Sequence, residues 1–139
     1  MITVQPVPLE YTNQTWPLVE GYIASALEEG DTGEALYNIH HVRGYVTSGA
    51  WLLLVAVDEN NDIHGAATVS FINHPLHRVA FVTAVGGKLV SNKDTADQLK
   101  AIMKQNGATI LQAFGRASII RLWRRYSFES RNTLVEVLL

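Results

Sequence analysis

Five histidines and no cysteine set the first limits on what this chain can do. Without cysteine there is no disulfide, no thiolate nucleophile and no sulfur-ligated zinc, so histidine and oxygen ligands are what remain. His74 and His77 have the spacing of a ligand pair, but no third ligand stands at a recognisable interval, and the expectation is no metal. His40 and His41 are neighbours on a predicted helix and point different ways. His64, His74 and His77 are the candidates for a general base, since imidazole changes charge near neutral pH. A different chemistry is suggested by Arg116, Arg121, Arg124 and Arg125, which cluster on or beside one short predicted helix with Arg131 just beyond. Such a cluster reads either as a solvated basic face or as an anion or partner surface, because guanidinium makes paired contacts with phosphate or carboxylate.

The elements that must position these residues follow from periodicity. Residues 2–7 read as a strand stopped by Pro8. Leu18, Val19, Tyr22, Ile23, Ala26 and Leu27 recur at helical spacing, with Thr15 expected as the N-cap and Pro17 in the first turn. After the acidic stretch 28–33, a second helix carries Leu36, Ile39, Val42 and Val46 on one side and stops at Ser48 and Gly49. Two apolar runs, 51–58 and 63–73, are joined by Glu59, Asn60, Asn61 and Asp62, a hairpin turn. Residues 78–85 are apolar on both sides, which predicts a strand covered by helices on both faces, with Val79, Phe81 and Val85 on one side and Ala80, Val82 and Ala84 on the other. A third helix is expected over 94–106 with Gly107 as its stop, then a strand over 109–114, a helix over 117–126 and a closing strand over 133–139.

At 139 residues, with 47% hydrophobic and 17% charged side chains, one domain with one core is expected across the whole chain. The longest apolar stretch, 50–57, is too short to span a bilayer, and the first residues lack the basic and apolar regions of a signal peptide, so a cytosolic protein without a membrane partner is expected. Charge is lopsided. Residues 1–77 carry one basic side chain against nine acidic, residues 78–139 ten against four, or −8 and +6. That division favours an anionic ligand on the second half, or self-association and protein contacts, over nucleic acid.

The element order, together with residues 110–114, the helix after them and Trp123, Tyr126, Ser127 and Phe128, resembles the GNAT acetyltransferase superfamily. Trp16, Pro17, residues 54–58, Gly65, Ala66, Val85, Gly86, Gly87, Gly115 and Arg116 are similar to short, divergent GNAT-like proteins of tailed bacteriophages. The resemblance implies an α/β fold of the α+β kind: a mixed, mostly antiparallel sheet of about six strands flanked by about four helices. It also implies acetyl-CoA as cofactor, with the thioester's phosphates beside Val85, Gly86, Gly87, Lys88 and Lys93 at the start of the third helix. Against the family pattern the glycines come early, Asp94 stands where a phosphate would lie, Trp123 replaces the tyrosine of the Tyr-x-x-x-Gly-Phe ending and Ser127 its glycine. Tyr126 is left as the candidate acid, and residues 79–85 offer no carboxylate for a base. Two functions stay open on these residues: an acyl-CoA-dependent N-acyltransferase, or a non-catalytic scaffold for virion assembly or host-protein binding.

Overall fold

The computed structural model describes residues 1–29, 35–115 and 117–139. Five strands form one sheet in the order β1 (Thr3–Pro6), β2 (Leu52–Val57), β3 (Ile63–Asn73), β4 (Arg78–Gly87) and β5 (Ile110–Ala113). All neighbours are antiparallel except β4 and β5, which are parallel. Helices α1 (Thr12–Glu29) and α2 (Ile39–Thr47) cover one face, and α3 (Lys93–Gln105) and α4 (Ala117–Arg124) the other. The mixed α+β architecture expected from the sequence is therefore present.

Each face has its own core. Trp16, Val19 and Ile23 of α1 and Val42 and Val46 of α2 pack on Leu53, Val55, Ala66 and Ala84. Opposite them, Leu99, Ile102 and Met103 of α3 and Trp123 of α4 pack on Leu54, Ala67, Val69, Ala80 and Val82. Ala80 is fully buried, and Val79, Val82 and Ala84 nearly so, as a strand covered on both faces requires. The expected alternation along β4 fails at one place. The β3 register steps from Val69 opposite Val82 to Thr68 opposite Ala84, so Thr83 is an extra residue, a β-bulge. It shifts the phase, and Val85 joins Val82 on the α3 side.

Several sequence expectations are corrected. Helix α1 begins at Thr12, not Thr15, after a 3-10 turn at Leu9–Tyr11, and Pro17 lies inside it. The Thr12 hydroxyl donates to the Leu9 carbonyl at 2.8 Å. Leu18 is largely exposed, and Trp16 takes the inward position. Leu36 lies outside α2, whose N-cap is Asn38; its side chain accepts from the N–H groups of His40 and His41, and the Asn38 N–H donates to His41 Nδ1. The strand expected over 133–139 is not formed, and those residues are exposed. The β1 edge is closed by a side chain. Gln98 of α3 accepts from the Val4 N–H at 2.7 Å and donates to the Ile2 carbonyl at 3.1 Å, as a neighbouring strand would.

Candidate functional site

Strands β4 and β5 run together from Val79 and Ile110 to Val82 and Ala113. There β5 ends, while β4 continues to Gly87. The bulged Thr83 sits where they part. Its hydroxyl donates to the Thr68 carbonyl at 3.0 Å, so the 2.7 Å contact between the two threonine hydroxyls has Thr68 as donor. Its own carbonyl accepts from the Tyr37 hydroxyl at 2.9 Å. Phe81 and Phe114 meet edge to face at 5.1 Å between centroids beside this opening, and Phe114 is more than half exposed. Tyr37 also meets Trp51 edge to face, with Tyr45 stacked on the same indole. Sequence reading passed over Tyr37; the aromatic residues at 37, 45 and 51 were its one visible signal.

The glycines after β4 serve packing. A Cβ on Gly86 would stand 2.3 Å from the Tyr22 carbonyl oxygen of α1, and one on Gly87, at φ +65°, 2.4 Å from the His64 carbonyl oxygen. Glycine lets α1 and β3 close on the end of β4. The Lys88 N–H then donates to the His64 carbonyl at 2.9 Å, extending the β3 ladder.

Helix α3 opens with three of its leading backbone donors bonded to side chains. The Ser91 and Asn92 N–H groups donate to Thr95 Oγ1 at 3.0 and 3.2 Å, and the Thr95 N–H donates to Asn92 Oδ1 at 2.9 Å. They are among the groups that cradle phosphate at a helix N-terminus when they are free. Asp94 adds a negative charge in the same turn. Lys93 pairs with Asp97 at 2.7 Å, and that hydrogen bond holds the Lys93 ammonium above its ordinary pKa and the Asp97 carboxyl below its own. Lys88 is exposed.

Tyr126 is buried in the α3 and α4 core, and its carbonyl accepts from the Lys100 ammonium. Trp123 is buried beside it and packs on Phe128 at 5.0 Å between ring centroids. Ser127 between them has φ +73°. The Phe128 N–H reaches the Trp123 carbonyl and the Ser127 N–H the Arg124 carbonyl, which is the hydrogen-bond pattern of a helix ended by a left-handed residue. Arg121, Arg124 and Arg125 are exposed, while Arg116, and Asp31 and Glu34 on the acidic side, lie outside the described residues.

The histidines stand elsewhere. His64 Nε2 meets Asp58 Oδ2 at 2.7 Å at the β2–β3 turn. This bond, with donation from the Asp62 and Asn60 N–H groups, holds the Asp58 carboxyl below its usual range against the opposing effect of burial. His77 Nδ1 lies 2.9 Å from the Thr109 hydroxyl, and His74 is exposed at the same turn. Among the described residues no three His, Asp or Glu side chains are grouped to hold a metal ion. No described helix is long and apolar enough to cross a membrane.

No protein-family model and no curated protein sequence matches the chain. Solved structures do. An aminoglycoside acetyltransferase from an uncultured soil metagenomic sample superposes with a TM-score of 0.70 at 9% identity, over 99% of this chain and 95% of that one. A predicted acetyltransferase from Clostridium acetobutylicum, solved with acetyl-CoA, gives 0.64 at 14% identity, over 99% and 96%. A ribosomal-protein-alanine N-acetyltransferase from Brucella melitensis gives 0.68 at 13% identity, over 100% and 99%. Two parallel strands that part beside a bulge, in a sheet covered on both faces, are thus found in a chain whose fold is that of the GNAT acetyltransferases.

Proposed function

We propose that this chain binds an acyl-CoA thioester in the opening between β4 and β5 and transfers the acyl group to an amine. The observation that carries this reading is the parting of the parallel strands after Val82 and Ala113, with β4 running on to Gly87. A structural neighbour was solved with acetyl-CoA, which makes that ligand the first to test. When bound, acetyl-CoA supplies an activated acyl group that passes from sulfur to nitrogen as the C–S bond breaks and the C–N bond forms. Val85, Gly86 and Gly87 would offer the backbone edge beside it, and Lys88 and Lys93 point charges toward its phosphates. The Tyr37 hydroxyl donates to the Thr83 carbonyl and so fixes the β4 backbone at the opening. Tyr126, one turn beyond the Trp123 that stands at the family ending's tyrosine position, would act from the α3 and α4 side.

The occupied donors of α3 give this reading a particular form. With the Ser91, Asn92 and Thr95 N–H groups held by side chains, fewer backbone donors are left there for phosphate, and this reading puts more of the affinity in the opening. Calorimetric titration with acetyl-CoA and with S-acetylpantetheine tests both parts. The expected result is binding of both, within about tenfold of each other (1.4 kcal/mol). No heat and no thermal stabilisation at millimolar acetyl-CoA refutes the proposal.

The same capped helix, and a β4 without a carboxylate, favour a second reading: a GNAT-fold scaffold that performs no transfer and presents Arg121, Arg124 and Arg125 to a protein partner, as an assembly or host-binding component. A folded chain that binds neither ligand, yet loses a protein partner on Arg121→Glu with Arg124→Glu, would establish it.

A further inference from the structure

Of the eight asparagines in the chain only Asn106 is followed by glycine. Such a pair can modify itself, because the backbone nitrogen after an asparagine can attack its side-chain amide carbon and glycine puts no side chain in the way. Asn106 and Gly107 are both exposed at the end of α3, so water reaches them. The step needs only water and a base from solvent. The base takes the Gly107 N–H proton, the nitrogen bonds to Asn106 Cγ, and Nδ2 leaves as ammonia with a proton returned by solvent. Water then opens the five-membered imide at either carbonyl. One opening leaves aspartate at position 106. The other leaves isoaspartate, in which the chain runs through Cβ and Cγ and the former backbone carbonyl becomes a free carboxylate.

The folded chain keeps the two reacting groups apart. The Gly107 N–H donates to the Lys104 carbonyl at 2.9 Å, which commits the proton that has to leave. Asn106 Nδ2 donates to the Ile102 carbonyl at 2.8 Å, which turns the side-chain amide back along α3. Backbone geometry adds a third restraint: ring closure needs the Gly107 nitrogen beside Cβ, but at ψ 9° it eclipses the backbone nitrogen of Asn106 instead. Arg78 holds that peptide group from turning, since its Nε donates to the Asn106 carbonyl at 3.1 Å while its guanidinium lies over the Phe71 ring. These restraints belong to one helix end, and helix ends are the part of a folded chain that opens at least cost.

We propose that Asn106 and Gly107 form a self-modification site, silenced by the cap of α3 and released when its last turn opens. Both products put a carboxylate at the negative end of the helix and remove the Nδ2 bond to Ile102, so the modified turn opens more readily than the original. The isoaspartate form also inserts one backbone atom between Met103 and Ala108, whose carbonyl and N–H pair at 3.1 Å in the unmodified chain. The change is one-way, because ammonia is lost. It is independent of whether the chain binds a thioester.

The test holds the full chain, folded and in denaturing urea, at one temperature and one mildly alkaline pH. Peptide mass mapping with isoaspartate-specific methylation follows each asparagine over time. In urea Asn106 should react ahead of the other asparagines, and Asn106→Gln should remove that signal, because its imide ring would be one atom larger. In the folded chain the rate at Asn106 should be at least about tenfold lower. Lys104→Gly loosens the last turn without touching the reacting pair; it should raise the folded rate about fivefold and leave the rate in urea unchanged, with thermal melts checking that the variant folds. The modified protein, separated by its added negative charge, should exchange the Ala108 amide about fivefold faster. Equal rates at Asn106 in the folded and unfolded chain, a reaction in urea that is slower there than at other asparagines, a folded rate indifferent to Lys104→Gly, or unchanged exchange at Ala108 after modification each overturns the proposal.

Discussion

Replacing Ser127 by glycine should stabilise the protein, although serine there belongs to the natural sequence. Ser127 is the left-handed residue ending α4, with φ +73°. For an L-residue that conformation costs about 1–2 kcal/mol, whereas glycine adopts it freely but loses about 0.5–1 kcal/mol more in backbone entropy on folding. The balance is about 1 kcal/mol in favour of glycine, provided the surrounding hydrogen bonds persist. They should, because they use backbone atoms: Phe128 N–H to Trp123 O, and Ser127 N–H to Arg124 O. The chain contains its own reference. Helix α3 ends in the same pattern, Ala108 N–H to Met103 O and Gly107 N–H to Lys104 O, with glycine at φ +83°. A Cβ on Gly107 would meet only Arg78 side-chain atoms at 3.7 Å, an ordinary contact. Gly107→Ser should therefore lose about what Ser127→Gly gains. In urea denaturation the midpoint should rise for Ser127→Gly at unchanged slope, with a melting temperature about 3 °C higher, fall for Gly107→Ser, and stay near the wild type for Ser127→Ala. If Ser127→Gly matches or falls below Ser127→Ala, backbone strain is not what governs this position.

Gly86→Ala places a methyl group against the Tyr22 carbonyl of α1, backbone that cannot rotate away, so unfolding free energy should fall by about 3 kcal/mol in the same assay. Gln98→Ala unseats the Ile2 carbonyl and the Val4 N–H together; a loss of about 1–3 kcal/mol is expected, with faster hydrogen exchange in β1. Asp58 is held below its ordinary pKa in the folded chain, so its contribution is present above the unfolded carboxylate pKa and is lost as pH falls through the lowered one. The Asn60 and Asp62 amides should lose exchange protection across that acid range in the wild type, and Asp58→Asn should remove this pH dependence.

Periodicity located α3 and α4 within a few residues, because Leu99, Ile102, Met103 and Trp123 turn one apolar stripe toward one face. It located β2, β3 and β4 because a strand buried on both sides reads as a continuous apolar run. It failed where a tertiary contact decides. Leu18 faces solvent and Trp16 is buried, because the face of α1 that meets the sheet runs through Trp16, Val19 and Ile23. The bulge at Thr83 is invisible for the same reason, since two threonine hydroxyls have to meet across strands to make it. Residues 133–139 have strand composition but no strand, because composition supplies one side of a ladder and pairing needs another. At the candidate site the order of elements was legible. The Tyr37 contact was not, as it joins residues 46 apart in sequence.

The glycine pair after β4 and the capped start of α3 answer one geometric demand. Gly86 brings the α1 backbone against the strand end, and Gly65 and Gly87 let β3 follow, so the strand end is committed to its neighbours before the chain turns. Lys88 extends that commitment by giving its N–H to His64. The chain then has to cross to the other face with its backbone donors heading for α3, and Asn92 and Thr95 satisfy them reciprocally. An anion arriving there finds the Ser91, Asn92 and Thr95 amides already bonded and the Asp94 carboxylate beside them, so it gains fewer backbone contacts than at an uncapped helix start. The opening at Thr83 makes no such demand: β5 has ended and Phe114 is exposed. Whatever this protein recognises along β4, selectivity for its neutral portion should therefore exceed selectivity for its charge.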